Sequence, residues 1–593
     1  MRRFAIKLSK SPTIVRCWTG GGLRYSSSAI DRARALHFGS NHAPFPSRLS
    51  RRNFATISSA TKIPSNSELT SPGEEAFVRE RRVTFQRYNV NPYPHFDTSK
   101  LETFLHLSDF RERFERKYEN GNRDPSIVVT VVGRVTAKRV AGKASMFLDI
   151  TRDGHRLQVI SNSKSYDDAE EHAKWANVLL TGDIIEVTGF PGSTRTNELS
   201  IIATRMNLLA PCLRRIPKTQ GLEDAELRLR IRPLALLASA DLSNNLRLRS
   251  RIVSYMRRYF DTEGFLEVET PVLSLKAGGA NAKPFVTWNN GLDAEMRMRV
   301  APELYLKQLV VGGLDRVYEI GKCFRNEGID NTHLPEFTSC EFYEAYADLN
   351  KVMTRTEKLL HGLVQEVTGS AEVAADFEDL SSPKINFTPP FRRIHVVDTL
   401  SAAIGEPLPL PSESCTESKT LSLLIPILDR HHVALPKPLT LARVYDKLIE
   451  RFIEHDCFQP TFLVGHPGVM CPLARRDPTL PATTLRFELF VKGFELANAY
   501  AELNDPLEQH TRFVAQFAAR TTNPGSTSIV EQDEEVAPPD EDFVRALEYG
   551  LPPTGGWGLG IDRLVMILTG AKGIRDVVTF AAVRPVLRQQ IQQ

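Results

Sequence analysis

The segment FRNEGIDNTHLPEFTSCEFYEAYA, residues 324–347, decides the fold expected for the larger part of the chain. It consists of a strand end, a loop and a second strand, and polar and apolar residues alternate through 300–345 and again through 485–504. This alternation predicts an antiparallel sheet with one functional face. Because successive strand residues point to opposite faces, one side of the second strand carries Phe337, Ser339, Glu341 and Tyr343.

Arg325 stands at the end of the first of these strands. A guanidinium can grip a phosphate or a carboxylate with two parallel hydrogen bonds, which a lysine ammonium cannot do. The segment therefore predicts an anion site beside an aromatic and acidic strand face. One arginine is no proof of this, and a sheet with ordinary exposed acids is the alternative interpretation.

A second segment, FELFVKGFELANAYAELND at 487–505, carries carboxylates on both sides of a turn at Gly493. Glu488 and Glu495 flank this turn, and paired carboxylates suit Mg²⁺ bridging phosphates, because that ion keeps positions free for substrate oxygens. Beyond the turn, alternation puts three polar side chains on one strand face: the amide of Asn498, the phenol of Tyr500 and the carboxylate of Glu502. Glu502 could pair with an amine instead.

A third segment, GGWGLGIDRLVMILTG at 555–570, is a glycine-rich approach to a helix whose first turn holds Asp562 and Arg563. Glycines let a nucleotide approach the backbone closely, and an arginine there can neutralise a terminal phosphate. Standing alone, such a turn is more often a packing feature. Together the three segments predict one site for a nucleotide and a cationic substrate.

In order and spacing the three segments resemble the signature motifs of class II aminoacyl-tRNA synthetases, and of the lysyl enzymes in particular. ETPVL, which contains Pro271, is similar to the first, dimer-forming motif; FRNEG to EFYEAYADL resembles the second, and GLGIDRLVM the third. The resemblance runs from about residue 75 to the C-terminus. Segments similar to those that distinguish lysyl enzymes are GGANAKPF at 278–285, APELYLKQLVVGGLDRVYEIG at 301–321 and ELANAYAELNDPLEQ at 495–509.

The resemblance implies roles for these residues. Arg325 and Arg563 would be the catalytic residues: Arg325 would hold the α-phosphate of ATP and the amino acid carboxylate, and Arg563 would contact the γ-phosphate and cover an adenine stacked on Phe337. Other ATP contacts would come from Glu327, His333 and Glu488. Mg²⁺ would be held by Glu488 and Glu495. L-lysine would lie among Gly279, Glu303, Glu341, Tyr343, Asn498, Tyr500 and Glu502.

The acids of this set favour lysine on physical grounds as well. A buried ammonium is costly unless it is paired, so a pocket rich in carboxylates and poor in side-chain cations should prefer an amino acid with two ammonium groups. Glu303, Glu341 and Glu502 supply the carboxylates. The expectation is that Glu502 meets the ε-ammonium.

Residues 127–210 consist of five short β-branched runs separated by Gly, Asp and Asn turns. This spacing predicts a small barrel of the OB type, whose exposed face commonly binds single-stranded nucleic acid, although a barrel without a ligand fits equally well. The resemblance makes it an anticodon-binding domain that contacts tRNA(Lys) through Arg134, Phe147 and Gln158. A packed core position is the alternative for Phe147.

The N-terminal sixty residues differ in composition from the rest of the 593-residue chain. Residues 1–62 hold twelve Lys or Arg and the single acid Asp31, an excess of eleven positive charges, so that the net charge of +4 leaves −7 on the remainder. Many arginines and serines with almost no acid predict a mitochondrial transit peptide and a matrix location. A basic tail that holds RNA is the alternative.

No apolar run is long enough to cross a bilayer, and the seven cysteines form no C-x-x-C pair.

The prediction is an α+β protein: a class II antiparallel sheet flanked by helices, with an N-terminal OB-fold barrel, acting as a homodimer. The expected parts are a transit peptide at 1–60, a helical lead-in at 61–122, the barrel at 123–212, a linker at 213–240 and the catalytic domain at 241–593. A long helix is predicted at about 242–262 from apolar residues at helical spacing, and a strand is expected to follow through FLEVETPVL. Residues 370–440 read as loop-rich, and a variable loop is expected at 521–540. Two rivals are a paralogue that lysylates a protein or stops at the adenylate, and a non-catalytic RNA-binding protein on this fold.

Overall fold

The computed structural model describes the compact unit that begins at Pro72. It covers residues 72–583 except 102, 142–144, 167, 218–224, 277, 281, 378, 380, 413 and 522–539. The transit peptide expected at 1–60 and most of the variable loop at 521–540 lie outside the described residues. No described helix is both long and apolar enough to cross a membrane.

The lead-in is helical and is anchored to the barrel by a buried ion pair. Helix α1 (Pro72–Arg87) ends before Asn91-Pro92, and α2 (Leu107–Phe114) follows. The guanidinium of Arg81 donates to both carboxylate oxygens of Asp183 at 2.7 and 2.8 Å and to the carbonyl of Val178 at 2.6 Å. Both side chains of the pair are buried, so α1 is fixed to the loop before the fourth barrel strand.

The five predicted strands form a closed barrel, as expected. Their pairing order is β1-β2-β3-β5-β4, in which β1 and β4 close the ring and β3 runs parallel to β5. Alternate residues such as Val131, Leu148 and Val159 are fully buried inside the barrel. The elements are β1 (Val129–Ala141), β2 (Ser145–Arg152), β3 (His155–Asn162), α3 (Ala169–Val178), β4 (Ile184–Ser193) and β5 (Leu199–Ala210).

Three helices connect the barrel to the large sheet: α4 (Ala225–Arg230), α5 (Arg232–Ala238) and α6 (Ala240–Thr262). The long helix predicted at about 242–262 is confirmed. Its residues Ile252, Met256 and Phe260 are buried at helical spacing, and Gly264 adopts a positive φ of 76° just beyond its end.

An eight-stranded sheet forms the centre of the larger part. Its strand order is β14-β15-β16-β17-β18-β11-β10-β6; the interior pairs are antiparallel and the two outermost pairs are parallel. Its strands are β6 (Leu266–Glu267), β10 (Arg316–Phe324), β11 (Glu336–Ala345), β14 (Arg392–His395), β15 (Thr461–Val464), β16 (Arg486–Val491), β17 (Phe494–Ala501) and β18 (Thr554–Gly560).

Smaller strands and further helices surround this sheet. The small sheets are β7 (Leu273–Ser274) with β8 (Val286–Asn289) and β9 (Ala294–Met298), and β12 (Glu372–Ala374) with β13 (Lys384–Asn386). The helices are α7 (Glu303–Val311), α8 (Leu349–Thr368), α9 (Val396–Ile404), α10 (Glu417–Arg430), α11 (Leu441–Phe452), α12 (Pro506–Thr521), α13 (Glu541–Leu547) and α14 (Ile561–Thr569). The fold is the predicted combination of a class II α+β domain and an OB barrel.

One face of the sheet is core and the other is open. Phe342 of β11 stacks on Trp557 of β18 at a ring distance of 5.1 Å, and Phe260 of α6 packs against both. Helices α6, α8 and α14 cover this side. The intervening residues of β11 and β18 therefore point to the opposite face, called the open face, which these three helices do not cover and where α7 packs beside Tyr343.

One sequence interpretation needs refinement and one needs correction. Residues 370–440 contain long connecting segments, as expected, but they also contain α9 and α10, which build a separate hydrophobic cluster with α11. Pro426 inside α10 obscured the helical pattern. The strand expected through FLEVETPVL is broken into β6 and β7, which belong to different sheets; Pro271 lies between them and cannot donate to a ladder.

Candidate active site

Glycines of β18 create the space on the open face of the sheet. Gly556 lies opposite Tyr343 of β11 and Tyr500 of β17, and Gly558 lies opposite Glu341 and Asn498. A Cβ atom at Gly556 would overlap the carboxylate of Glu502, and one at Gly558 would come within 3.3 Å of Glu341 Cγ. The glycine-rich approach to α14 therefore makes room for side chains of its neighbours.

At one end of this face a guanidinium lies over an aromatic ring. The guanidinium carbon of Arg325 is 5.0 Å from the centre of the Phe337 ring. Arg325 Nε is buried and has no hydrogen-bond partner within the described ranges. An unsatisfied buried donor is costly, so an anion that accepts from it would be stabilised here. Glu327 follows in the loop and is exposed.

Arg563 approaches the same end from the first turn of α14. It hydrogen-bonds His333 Nε2 at 2.9 Å, and His333 Nδ1 lies 2.9 Å from a carboxylate oxygen of Asp330. Since arginine only donates, Nε2 accepts and the ring proton is on Nδ1. Burial opposes ionisation of Asp330, but hydrogen bonds from Thr332 and His333 lower its pKa to about 2. The first and third segments thus meet.

A buried hydrogen-bond network also joins the segment of Phe337 to the segment of Arg563. Thr338 N donates to Asp562 Oδ2 at 2.8 Å, and Arg249 of α6 pairs with Asp562 and donates to Thr338 Oγ1 at 2.8 Å. Thr338 follows Phe337 and Asp562 precedes Arg563 in the chain. The positions of the Phe337 ring and of the Arg563 guanidinium are therefore both fixed through the carboxylate of Asp562.

Glu488 and Glu495 lie close enough for their charges to interact. Burial works against ionisation of Glu488, yet Arg486 and His466 lower its pKa to about 2. Partial burial and the charge of Glu488 raise the pKa of Glu495, whose carboxylate is 3.7 Å from Arg563. Among the described residues no set of three potential ligands converges on one metal position. Two carboxylates fit Mg²⁺ when phosphate oxygens complete its shell, and a cation there would relieve the raised pKa of Glu495.

Arg486 is a central residue that the sequence analysis missed. It pairs with Glu488, donates through Nε to Asn498 Oδ1 at 3.1 Å and lies 3.1 Å from Cys471 Sγ. Its guanidinium is also 5.7 Å from the ring centre of Tyr500. It connects the carboxylate pair to the strand face beyond. Period two in β16 could have found it, because Arg486 and Glu488 share one face.

The acids expected to bind lysine converge at the other end of the open face, as the sequence predicts. Glu502 lies beside Tyr343 above Gly556, and the Tyr343 hydroxyl is 3.4 Å from Glu341 Oε2. Gly279, at a φ of 90°, brings its backbone against Glu303, whose Cβ would be 3.1 Å from an added methyl. Carboxylates from three elements thus surround one space.

One cation in this space was missed by the sequence analysis. Lys307 Nζ lies 2.6 Å from Glu303 and 2.5 Å from Glu502. Lys307 follows Glu303 by one helical turn, which brings both side chains to the same side of α7. Apart from this ion pair, neither oxygen of Glu502 has a hydrogen-bond partner in the described part of the chain.

The carboxyl groups here hold protons unusually tightly. Burial and the charges of Glu303 and Glu319 raise the pKa of Glu341 to about 8. Burial also raises the pKa of Glu502 to about 8, against the attraction of Lys307. The two carboxylates beside Lys307 keep its own pKa raised, so the ammonium stays charged. The space is therefore suited to groups that bring positive charge.

On the barrel, Phe147 and Gln158 lie on the outside of neighbouring strands. Phe147 pairs with Ile160, and the Gln158 amide donates to Glu198 at 2.9 Å and accepts from Ser200 at 3.0 Å. Arg134 does not join them: it donates to the carbonyl of Gly182 at 2.7 Å. A groove of about 450 Å³ beside Gln158 is lined by residues that include Arg111, Arg116, Tyr118 and Arg156.

Comparison with known proteins agrees with this arrangement. Residues 224–584 match the family described as tRNA synthetases class II (D, K and N), and residues 129–209 match the OB-fold nucleic acid binding domain. The match to the lysine–tRNA ligase cla4 of Cladosporium cladosporioides has 43% identity over 511 residues, 85% of this chain and 83% of that protein.

Two other relatives are similar over comparable lengths. A probable cytoplasmic lysine–tRNA ligase of Encephalitozoon cuniculi is 47% identical over 463 residues, 77% of this chain and 88% of the relative. The lysine–tRNA ligase of Bacillus subtilis is 41% identical over 493 residues, 81% and 94% of the two chains. The matches span both the barrel and the large sheet. The chain therefore belongs to the class II lysyl-tRNA synthetase family.

Proposed function

We propose that this lysine–tRNA ligase makes lysyl-adenylate on the open face of the sheet and then transfers the lysyl group to tRNA(Lys). One observation carries the proposal: two guanidinium groups, of Arg325 and Arg563, and a carboxylate pair share one sheet face with the acids Glu303, Glu341 and Glu502. The first set suits a triphosphate and the second a diamino acid.

The chemistry needs no covalent protein nucleophile. A carboxylate oxygen of lysine attacks the α-phosphorus of ATP, the bond to the bridging oxygen breaks, and pyrophosphate leaves with the electron pair. Arg325 stabilises the charge that develops on the α-phosphate, while Arg563 and His333 hold the terminal phosphate. Mg²⁺, held by Glu488 and Glu495 when bound, would neutralise phosphate charge. A terminal ribose hydroxyl of the tRNA then attacks the lysyl carbonyl, and AMP leaves.

The test is ATP–pyrophosphate exchange with purified protein, followed by charging of tRNA. Exchange that depends on lysine, with none for aspartate or asparagine, is expected. Exchange without charging would favour an enzyme that stops at the adenylate or modifies a protein. Absence of exchange with lysine would reject adenylation, and exchange with aspartate alone would reject the substrate.

The barrel is proposed to read the anticodon through its outer face. Phe147 is only partly buried, so its ring is available for stacking, and the groove beside Gln158 carries three arginines as well as three glutamates. Phe147→Ala should lower kcat/KM for tRNA about 10-fold, since stacking contributes about 1–3 kcal/mol per base. Lysine-dependent exchange should not change. An equal loss in both reactions would mean that Phe147 supports the fold instead.

A homodimer is proposed from the apolar side chains exposed along 266–292. Such a contiguous set is unusual on the surface of a monomer and commonly marks a protein interface. Its members are Leu266, Val272, Leu273, Leu275, Val286, Trp288 and Leu292. Sedimentation should give a dimer for the wild type and a monomer for Trp288→Asp; a monomeric wild type would reject the proposal.

Action in mitochondrial translation is proposed from the composition of residues 1–62 alone. A tagged full-length chain should enter the mitochondrial matrix, and a chain that begins at Glu74 should not. A cytosolic signal from the full-length chain would favour the alternative, a basic tail that holds RNA.

A further inference from the structure

Lys307 is a buried cation that the proposed reaction does not use. Its side chain is 0% exposed on α7, and its ammonium lies between Glu303 Oε1 at 2.6 Å and Glu502 Oε2 at 2.5 Å. The Phe543 ring centre is 6.0 Å away. The two carboxylates come from elements about 200 residues apart in sequence, so this one ammonium joins α7 to the end of β17.

Core stability does not explain a charge at this position. A buried ammonium loses its hydration, and replacing a buried ion pair by apolar side chains of similar volume is often neutral or stabilising. Methionine has a similar length to lysine and would pack against Phe543 without that loss. The ammonium must therefore be judged by what it does to Glu303 and Glu502.

The carboxyl groups around Lys307 outnumber its single positive charge, and this shortage of positive charge is called the charge deficit of the pocket. The carboxyl groups of Glu303, Glu341 and Glu502 face this space, together with the phenols of Tyr343 and Tyr500. The Glu319 carboxylate, next to Glu341, is already paired with Arg299 at 2.5 Å. Three carboxylates and one ammonium leave two negative charges without partners when all are ionised. Lysine carries an ammonium at each end, while its carboxylate is expected to meet Arg325.

We propose that Lys307 is a positioning residue that sets amino acid selectivity. It holds Glu303 and Glu502 at a fixed separation and reduces the charge deficit of the pocket from three to two, which a diamino acid supplies and a monoamino acid does not. This inference rests on the proposed lysine pocket and deepens it. Without Lys307 the deficit would be three, and the carboxyl groups would hold their protons more tightly, which opposes the binding of ammonium groups.

The test compares Lys307→Met with Lys307→Arg in lysine-dependent exchange, using norleucine as the analogue that lacks the ε-ammonium. Lys307→Met should raise KM for lysine by about 10-fold or more and lower the preference for lysine over norleucine by a similar factor. KM for ATP should stay within about twofold. Lys307→Arg keeps the charge and should recover part of the selectivity.

A structural role alone would give a different pattern. Lys384→Met removes an exposed lysine that pairs with Glu372 at 3.5 Å, far along the chain, and serves as the matched control. Thermal unfolding follows all variants, and Lys307→Gln replaces Lys307→Met if the latter does not fold. A lowered melting temperature with unchanged preference for lysine over norleucine would overturn the inference.

Glu502→Gln separates this inference from the pocket assignment. If Glu502→Gln raises KM for lysine and Lys307→Met does not, Lys307 has no role in selectivity although the pocket is correctly assigned. If neither variant alters KM for lysine, the assignment of the pocket itself fails. The inference is supported if Glu502→Gln and Lys307→Met both raise KM for lysine, and if the preference for lysine over norleucine falls in Lys307→Met but is partly kept in Lys307→Arg.

Discussion

The missing side chain of Gly556 admits the carboxylate of Glu502. A methyl group there would overlap Glu502 Oε1 and the ring of Tyr343. Gly556→Ala should therefore displace the carboxylate and raise KM for lysine by about 10-fold or more, with less effect on KM for ATP. Gly573→Ala, where the nearest atom would be 3.8 Å away, is the control in the same exchange assay. Equal KM values for lysine in both variants would contradict this account.

The geometry of a guanidinium matters at position 325. Arg325→Lys keeps the charge but loses the planar pair of donors, so the exchange rate should fall about 100- to 1000-fold, the range for losing one preorganised donor. Arg316→Lys is the control, because Arg316 is exposed at the opposite end of β10 from Arg325 and pairs with Glu344. Steady-state kinetics measures both, and a loss confined to Arg316→Lys would exclude this role for Arg325.

Single residues also show where sequence-based prediction stopped. The alternation in β11 and β17 was sufficient to place Glu341, Tyr343 and Tyr500 on one face, because strand period two is a local property. That Lys307 would meet Glu502 was not predictable, since the contact joins a helix to a distant strand. The charge argument for lysine was incomplete for that reason.

Among the elements, α1 depends on one buried pair. Arg81→Met leaves Asp183 buried with only backbone donors, so the barrel should lose about 3 kcal/mol of stability. Urea denaturation and hydrogen exchange of β1 and β4 would measure the loss. Arg79→Met, on the exposed side of the same helix, should change stability by less than about 0.5 kcal/mol. Similar values for both would mean that the ion pair does not hold the helix.

Elements with strong periodicity were predicted and interrupted ones were not. The barrel strands and α6 follow clear periods of two and of 3.6 residues, and the structure confirms them. Helix α10 contains Pro426, and β6 and β7 are two residues each, too short for a pattern to emerge. The expected part boundaries and the individual site roles stay predictions.

For the molecule as a whole, proton exchange should accompany lysine binding. Glu341 and Glu502 each have a pKa of about 8 without substrate, so both carry protons at pH 7. Bound ammonium groups favour the ionised carboxylates, which lowers these pKa values in the complex. Lysine itself is mainly doubly cationic up to about pH 7.5, because α-amino groups have a pKa of about 7.7–8.0 and the side-chain amine about 10.4. Binding should therefore release about one to two protons at pH 7, and KM for lysine should fall as pH rises from about 6 to 7.5.

Titration calorimetry in two buffers of different ionisation enthalpy counts these protons. Glu341→Gln should release about one proton fewer than the wild type. A wild-type value of zero, or a KM for lysine that rises with pH over this interval, would show that the carboxyl groups are already ionised before substrate arrives.

The network of Arg249, Thr338 and Asp562 has a consequence for how nucleotide meets protein. Phe337 and Arg563 are bonded neighbours of Thr338 and Asp562, so this network fixes the spacing between the Phe337 ring and the Arg563 guanidinium, the two groups proposed to enclose an adenine. Binding then costs little conformational entropy from these two side chains. Because the gap between them is already fixed when a rigid purine ring arrives, association should be rapid and should not wait for a conformational change.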